Sequence, residues 1–197
     1  MATKTESRRA ARDASRQDDN LATFAGIALC CAALVVLAMI GLKIAVQAPT
    51  ALAGDWDQAL AAEHQATLAL FDALEATDET NTTRRSILLA QLKHALAKHA
   101  LEEENVIYPA LREAGEAEGA DALNAEHGYV KQYLYELENM SNDSREFLAK
   151  VRDFRADIEA HMREEENVLF PRLKAGLDDA RNKRLTLAMN KEGFKLA

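Results

Sequence analysis

The chain has 197 residues, 48% of them hydrophobic, with only 8 Gly and 3 Pro; that is room for one domain plus appendages, in a composition lean in helix breakers. Its net charge of -8 argues against a nucleic-acid partner, which needs a basic surface to neutralise phosphates. The two cysteines, Cys30 and Cys31, are adjacent and cannot staple distant parts of a fold.

Residues 1–20 form a charged segment with Lys4, Arg8, Arg9, Arg12 and Arg16. Residues 21–46 follow as an apolar run, and Leu21 to Leu42 carries no charge. At roughly 1.5 Å per residue that stretch crosses a hydrocarbon core of about 30 Å. After Lys43 no Lys or Arg occurs until Arg84. The positive-inside rule then places the N-terminus in the cytoplasm and everything from Asp55 onward on the extracytoplasmic, periplasmic-type side. A cleaved signal peptide is the alternative, with Ala51-Leu52-Ala53 before Gly54 as its small-residue site. The apolar run is longer than the roughly 7–15 residues of a signal core, so a retained single-pass anchor is expected. Residues 47–54 read as a linker.

From Asp55 to Leu173 the chain divides into four amphipathic stretches. Asp55 to Ala76 lines up Leu60, His64, Thr67, Leu68, Phe71 and Leu74 on one face. Thr77 to Asn81 is a polar turn, after which Thr82 or Thr83 caps a helix carrying Ile87, Leu88, Leu92, Leu96, His99 and Glu103. Ala114 to Gly119 breaks the pattern, and a third helix is expected from about Asp121 to Met140. Ser141-Asn142-Asp143 turns the chain into a fourth helix with Phe147, Val151, Phe154, Ile158, His161, Glu165 and Val168 inward. Short connections favour antiparallel neighbours, so residues 55–173 are expected to form an all-α, antiparallel up-down four-helix bundle, preceded by one transmembrane helix. Residues 174–197 read as a short surface helix and a frayed tail.

One stretch occurs twice. His99 to Pro109 reads HALEEENVIYP, and His161 to Pro171 reads HMREEENVLFP. Ala62-Glu63-His64 opens the first pair of helices and Ala125-Glu126-His127 the second. Each half thus offers one His on its first helix and His-x-x-x-Glu on its second. Residues i and i+4 share a helix face, so His99 with Glu103, and His161 with Glu165, can reach inward together. Imidazoles suit Fe, Zn, Cu and Ni, and carboxylates can bridge two metals. A single inward His is usually a core residue and a Glu triplet usually a solvated face. Four symmetric His with two Glu are different, because each would be a buried ionisable group in need of a partner. Glu102 and Glu104, about 60° and 140° from the histidine's direction, read as solvated. His94, about 140° from His99, reads as surface.

These motifs resemble the haemerythrin-like cation-binding domain family over about Asp55 to Leu173. The resemblance implies a bundle around two Fe ions, an oxo- or hydroxo- and carboxylate-bridged di-iron centre. His64 and His99 would ligate one iron, His127 and His161 the other, with Glu103 and Glu165 as bridges and Glu166 as the alternative to Glu165. Oxygen-carrying members add a fifth His where this chain has Lys131, so the oxygen-transport pattern is incomplete. The wider four-His, two-Glu branch is linked to iron, oxygen or nitric-oxide sensing. The expected function is therefore a membrane-tethered module that binds or senses dioxygen or a related small molecule such as NO or peroxide, with no catalytic residues of its own. A di-iron oxidase or peroxidase, with Tyr129, Tyr133 or Tyr135 as redox partners, and a metal-free interaction bundle are the alternatives. No protein partner is indicated.

The topology is open to a direct test. Protease added outside spheroplasts should remove residues 55–197 while a short N-terminal tag survives. Protection of the domain would reverse the orientation, and a mature chain beginning at Gly54 would make the apolar run a signal.

Overall fold

The computed structural model describes Lys43 and residues 47–197. The anchor or signal expected over 21–46 and the segment 1–20 lie outside the described residues, Lys43 aside. No helix among the described residues is long and apolar enough to cross a membrane. All regular elements among them are helical: α1 (Trp56–Glu75), α2 (Thr82–Glu102), α3 (Tyr108–Glu113), α4 (Ala117–Asn139), α5 (Glu146–Glu164), α6 (Phe170–Ala175) and α7 (Asp179–Leu196). Two π-helical turns, Glu103–Ile107 and Glu165–Leu169, join α2 to α3 and α5 to α6.

The starts and stops follow local chemistry. The Asp55 N–H donates to Gln58 Oε1 at 3.2 Å, fixing the entry of α1, and Asp178 accepts from the Arg181 N–H at 2.7 Å to cap α7. Both π turns precede a proline. Pro109 and Pro171 have no N–H for the carbonyls of Asn105 and Asn167, and their rings crowd those carbonyls. The backbone widens instead, so the Tyr108 N–H bonds the Glu103 carbonyl and the Phe170 N–H bonds the Glu165 carbonyl, five residues back.

Two apolar clusters fill the bundle. One gathers Trp56, Leu60, Ile107, Leu111, Leu123, Leu169, Phe170, Leu173 and Met189. The other gathers Phe71, Leu74, Leu92, Leu96, Leu134, Leu137, Phe147, Val151, Phe154 and Ile158. In α1 and α4 the chain runs from the first cluster past a histidine to the second; in α2 and α5 it runs the other way. These four helices therefore alternate in direction, and His64, His99, His127 and His161 come to one level between two dry cores.

Several sequence readings change. The third long helix begins at Ala117, not near Asp121, and Gly119 is helical; a Cβ there would stand 2.9 Å from Leu169 Cδ2. Ile87 faces outward, and the inward row is Arg85, Leu89, Leu92, Leu96 and His99. Residues 47–52 of the expected linker are helical, with Gln47 and Thr50 buried. The C-terminal stretch is no frayed tail. Its helix runs to Leu196, buries Met189 completely, and offers Asn182 and Thr186 to the indole N–H and backbone N–H of Trp56, at 2.9 and 3.0 Å. A charged surface with one apolar stripe gave little period to read, and docking on α2 is what orders it.

Gly193 shows how closely α7 docks. A Cβ there would fall on the buried carboxylate of Glu102 and 2.7 Å from Gln47 Oε1. Gly128, also mid-helix, has nothing within 4 Å. Gly193→Ala should therefore destabilise the protein by about 1–3 kcal/mol despite its better helix propensity. Gly128→Ala should stabilise it by roughly 0.5–1 kcal/mol. Denaturant melts of the two variants check the opposite signs.

Candidate metal centre

The four histidines are between 1% and 7% exposed, although imidazole titrates near neutral pH and is ordinarily kept wet. Their Nε2 atoms face one another: His64 Nε2 lies 3.0 Å from His99 Nε2, and the His127 and His161 rings lie 5.2 Å apart. Glu103 and Glu165 are fully buried between the two pairs. Each carboxylate spans them. Glu103 places Oε1 3.1 Å from His99 Nε2 and Oε2 3.4 Å from His127 Nε2. Glu165 places Oε2 3.4 Å from His64 Nε2 and Oε1 3.4 Å from His161 Nε2. The donor atoms of His64, His99, Glu103 and Glu165 lie within 4.8 Å of one another, as do those of Glu103, His127 and His161.

The outward nitrogens are all held by carboxylates. His64 Nδ1 meets Glu166 at 2.6 Å, His99 Nδ1 meets Glu63 at 3.0 Å, His127 Nδ1 meets Glu104 at 2.9 Å and His161 Nδ1 meets Glu126 at 2.8 Å. The pattern is itself duplicated. The Glu before each first-helix His backs the second-helix His, and the Glu five residues after each second-helix His backs a first-helix His of the other hairpin. A carboxylate at Nδ1 keeps a proton there and turns the Nε2 lone pair inward, which is how a metal-ligating imidazole is oriented.

Two glutamates read from sequence as solvated are not. Glu104 is one-third exposed and bound to His127. Glu102 is fully buried, accepting from Lys98 Nζ at 3.0 Å and from Gln47 Nε2 at 3.2 Å under α7. Lys98 also bonds Glu63, which accepts from Thr50 Oγ1 at 2.6 Å. Glu164, the repeat counterpart of Glu102, is exposed, and no helix among the described residues covers it. His94 is exposed, and so is Lys131, which reaches only Glu104, at 3.6 Å. Tyr129 and Tyr135 are exposed, and Tyr133 donates to Asp157 at 2.7 Å, so none of the three joins the cluster.

The tyrosine that does join it is Tyr108, which periodicity alone did not single out. It is fully buried, with its hydroxyl 2.8 Å from Glu165 Oε1, 3.3 Å from Glu103 Oε2 and 3.2 Å from His127 Nε2. The available signal was the repeat's own asymmetry: Tyr108 stands where the second copy has Phe170.

The electrostatics are strongly coupled. Burial pulls His99 down, but the Glu103 and Glu63 carboxylates outweigh it and hold the imidazole well above its ordinary value. Burial likewise opposes charge on His161, and Glu165, Glu103 and Glu126 push it up to about 9. Burial raises Glu103, yet His99, His127 and His161 keep it well below the usual carboxylate range. Burial and the neighbouring Glu63 push Glu102 up to about 8 against Lys98. Burial, then Glu103 and Glu165, drive the Tyr108 phenol far above its ordinary value.

The residues fit bound metal. Glu103 Oε1 and Glu165 Oε2 are buried with no hydrogen-bond partner, an arrangement that is costly unless another group satisfies them. Both lie on the His64–His99 side. Four imidazoles with two carboxylates and no thiolate are a donor set for iron, zinc or manganese. A cavity of about 330 Å³, walled by Leu96, Ala97, Ala100, Val130, Ile158 and Met162, reaches His99, His127 and His161 from outside.

Comparison with known proteins agrees with the donor set. Residues 57–173 match the family model described as Hemerythrin HHE cation binding domain. No curated protein and no solved structure matches the chain.

The backing carboxylates give a test that leaves the inner cluster intact. Glu126 is about half exposed and holds only His161. Glu126→Ala should lower metal affinity about 10–100-fold with an unchanged helical spectrum. Glu164→Ala, at an exposed side chain that backs no histidine, should leave a metal titration unaltered.

Proposed function

The chain belongs to the haemerythrin HHE cation-binding family, and on that footing we propose a non-haem di-iron module, tethered to a membrane by residues 21–46, that binds or senses dioxygen or a related small molecule. His64 and His99 hold one iron, His127 and His161 the other, and Glu103 and Glu165 bridge them. The observation that carries this reading is the way each buried carboxylate offers one oxygen to each histidine pair. A single-metal site would have no use for that division. A metal-free interaction bundle would leave Glu103 Oε1 and Glu165 Oε2 buried with no hydrogen bond, facing only the imidazoles of His99 and His64.

When bound, such an iron pair supplies electrons and an open coordination position to a small molecule. This chain's own residues do the rest. Glu63, Glu104, Glu126 and Glu166 fix the four rings. The apolar cavity admits small uncharged molecules to the inner cluster and offers bulk water few polar partners. Lys131, 70% exposed and among the residues lining the cavity, stands where oxygen carriers have the fifth imidazole.

Metal analysis of the purified full chain should find about two irons, because each histidine pair shares both carboxylates. His99→Ala and His161→Ala should each lose at least one iron. Glu103→Ala and Glu165→Ala should lose the magnetic coupling of the pair. His94→Ala should change nothing. Iron stripped by His94→Ala but kept by His99→Ala would sink the assignment. The reduced protein should change its optical spectrum on adding dioxygen or NO; no response to either would leave a metal store rather than a sensor.

A further inference from the structure

The duplication is nearly symmetric in its ligands and unsymmetric at one buried position. Tyr108 and Phe170 each follow the second-helix histidine of their hairpin by nine residues and precede its proline. Phe170 stacks on His64 at 6.5 Å and meets Trp56 edge-on at 5.2 Å, and it brings no donor to the His64–His99 side. Tyr108 brings an oxygen into the His127–His161 side. Four atoms surround that oxygen: Glu165 Oε1 at 2.8 Å, His127 Nε2 at 3.2 Å, Glu103 Oε2 at 3.3 Å and His161 Nε2 at 3.5 Å. All four are atoms of the metal-facing set. A phenol has one proton, so it can donate to only one of the two carboxylate oxygens. A cation shared by the phenolate and its neighbours satisfies them all.

We propose that Tyr108 is an iron ligand: its phenolate oxygen binds the iron held by His127 and His161, and the His64–His99 side is the one left open to an outside molecule. The proposal rests on the di-iron reading above. The phenolate is a hard oxygen donor suited to ferric iron, and tyrosinate is a known protein ligand to iron. On binding, the phenolic O–H bond is exchanged for an iron–oxygen bond, and the proton leaves to solvent. No oxidant or reductant is consumed. The unpartnered Glu103 Oε1 and Glu165 Oε2 both belong to the side that has Phe170 in place of a phenol. The cavity is lined by His99 on that side and by His127 and His161 on the other.

The test uses the full chain, loaded with ferric iron in detergent. Wild type should show an intense visible phenolate-to-iron charge-transfer band with resonance-enhanced phenolate ring vibrations. Tyr108→Phe should lose both while keeping its iron and its helical spectrum. Azide alone, titrated against the ferric protein, should bind once per chain in wild type and twice in Tyr108→Phe. In the double variant Tyr108→Phe/Phe170→Tyr the band should return on the other iron, with azide again binding once. Two irons without a phenolate band overturn Tyr108 as a ligand and leave the di-iron reading standing. A band that persists in Tyr108→Phe overturns it too, because another tyrosine must then be the source. One iron per chain in wild type overturns the di-iron reading instead.

Discussion

Everything in this fold answers to one constraint: four imidazoles and two carboxylates sit in a fully buried layer between two apolar cores. Groups of this kind, left alone, would each carry a desolvation penalty that a small domain cannot absorb. The structure meets that penalty in two directions. Outward, every Nδ1 has its own carboxylate. Inward, the carboxylates of Glu103 and Glu165 lie against imidazoles from both hairpins, and two of their oxygens still lack a hydrogen-bond partner. The apolar clusters on either side, and the apolar walls of the cavity that reaches it, give the layer few polar partners, so the inner demand falls on a bound cation.

The two π turns are what let one short motif do several jobs. Glu103 and Glu165 point inward while Glu104 and Glu166, the next residues, reach across to back histidines of the opposite hairpin. On a regular helix Tyr108 would sit about 180° from His99, on the outer face. The widened turn takes up less rotation per residue and brings Tyr108 round to the cluster. Pro109 and Pro171 are thus part of the site, although neither touches it.

That geometry also explains which parts were legible in the sequence. That His64, His99, Glu103, His127, His161 and Glu165 face inward was legible because residues four apart on a helix, at about 100° per residue, share a face. The helices around them were found for the same reason. Glu102 and Glu104 were read as solvated because that reading treats a helix as an isolated cylinder. Glu102 is buried by α7 and by residues 47–52, one too polar and the other too short to announce a docked face. Glu104 is claimed by a histidine on another helix. Tyr108 lay beyond a change of helical pitch that spacing cannot show. Only the comparison of the two copies, Tyr against Phe in an otherwise parallel motif, carried that information.

The departures from twofold symmetry fall together on the first hairpin. Lys98 and Tyr108 stand where the second copy has Ala160 and Phe170, and Glu102 is buried where its counterpart Glu164 is exposed. Lys98 ties Glu102 to Glu63, and Glu63 orients His99. Gln47 and Thr50, just past the apolar run, bond to Glu102 and Glu63 directly. The segment that leads into the domain therefore touches the carboxylate that backs a single histidine, with one side chain between them. No comparable chain of contacts reaches His64, His127 or His161 from that segment among the described residues. Duplication supplied two equivalent sets of candidate ligands; the residues that differ decide how each half is closed, and which half feels the rest of the chain.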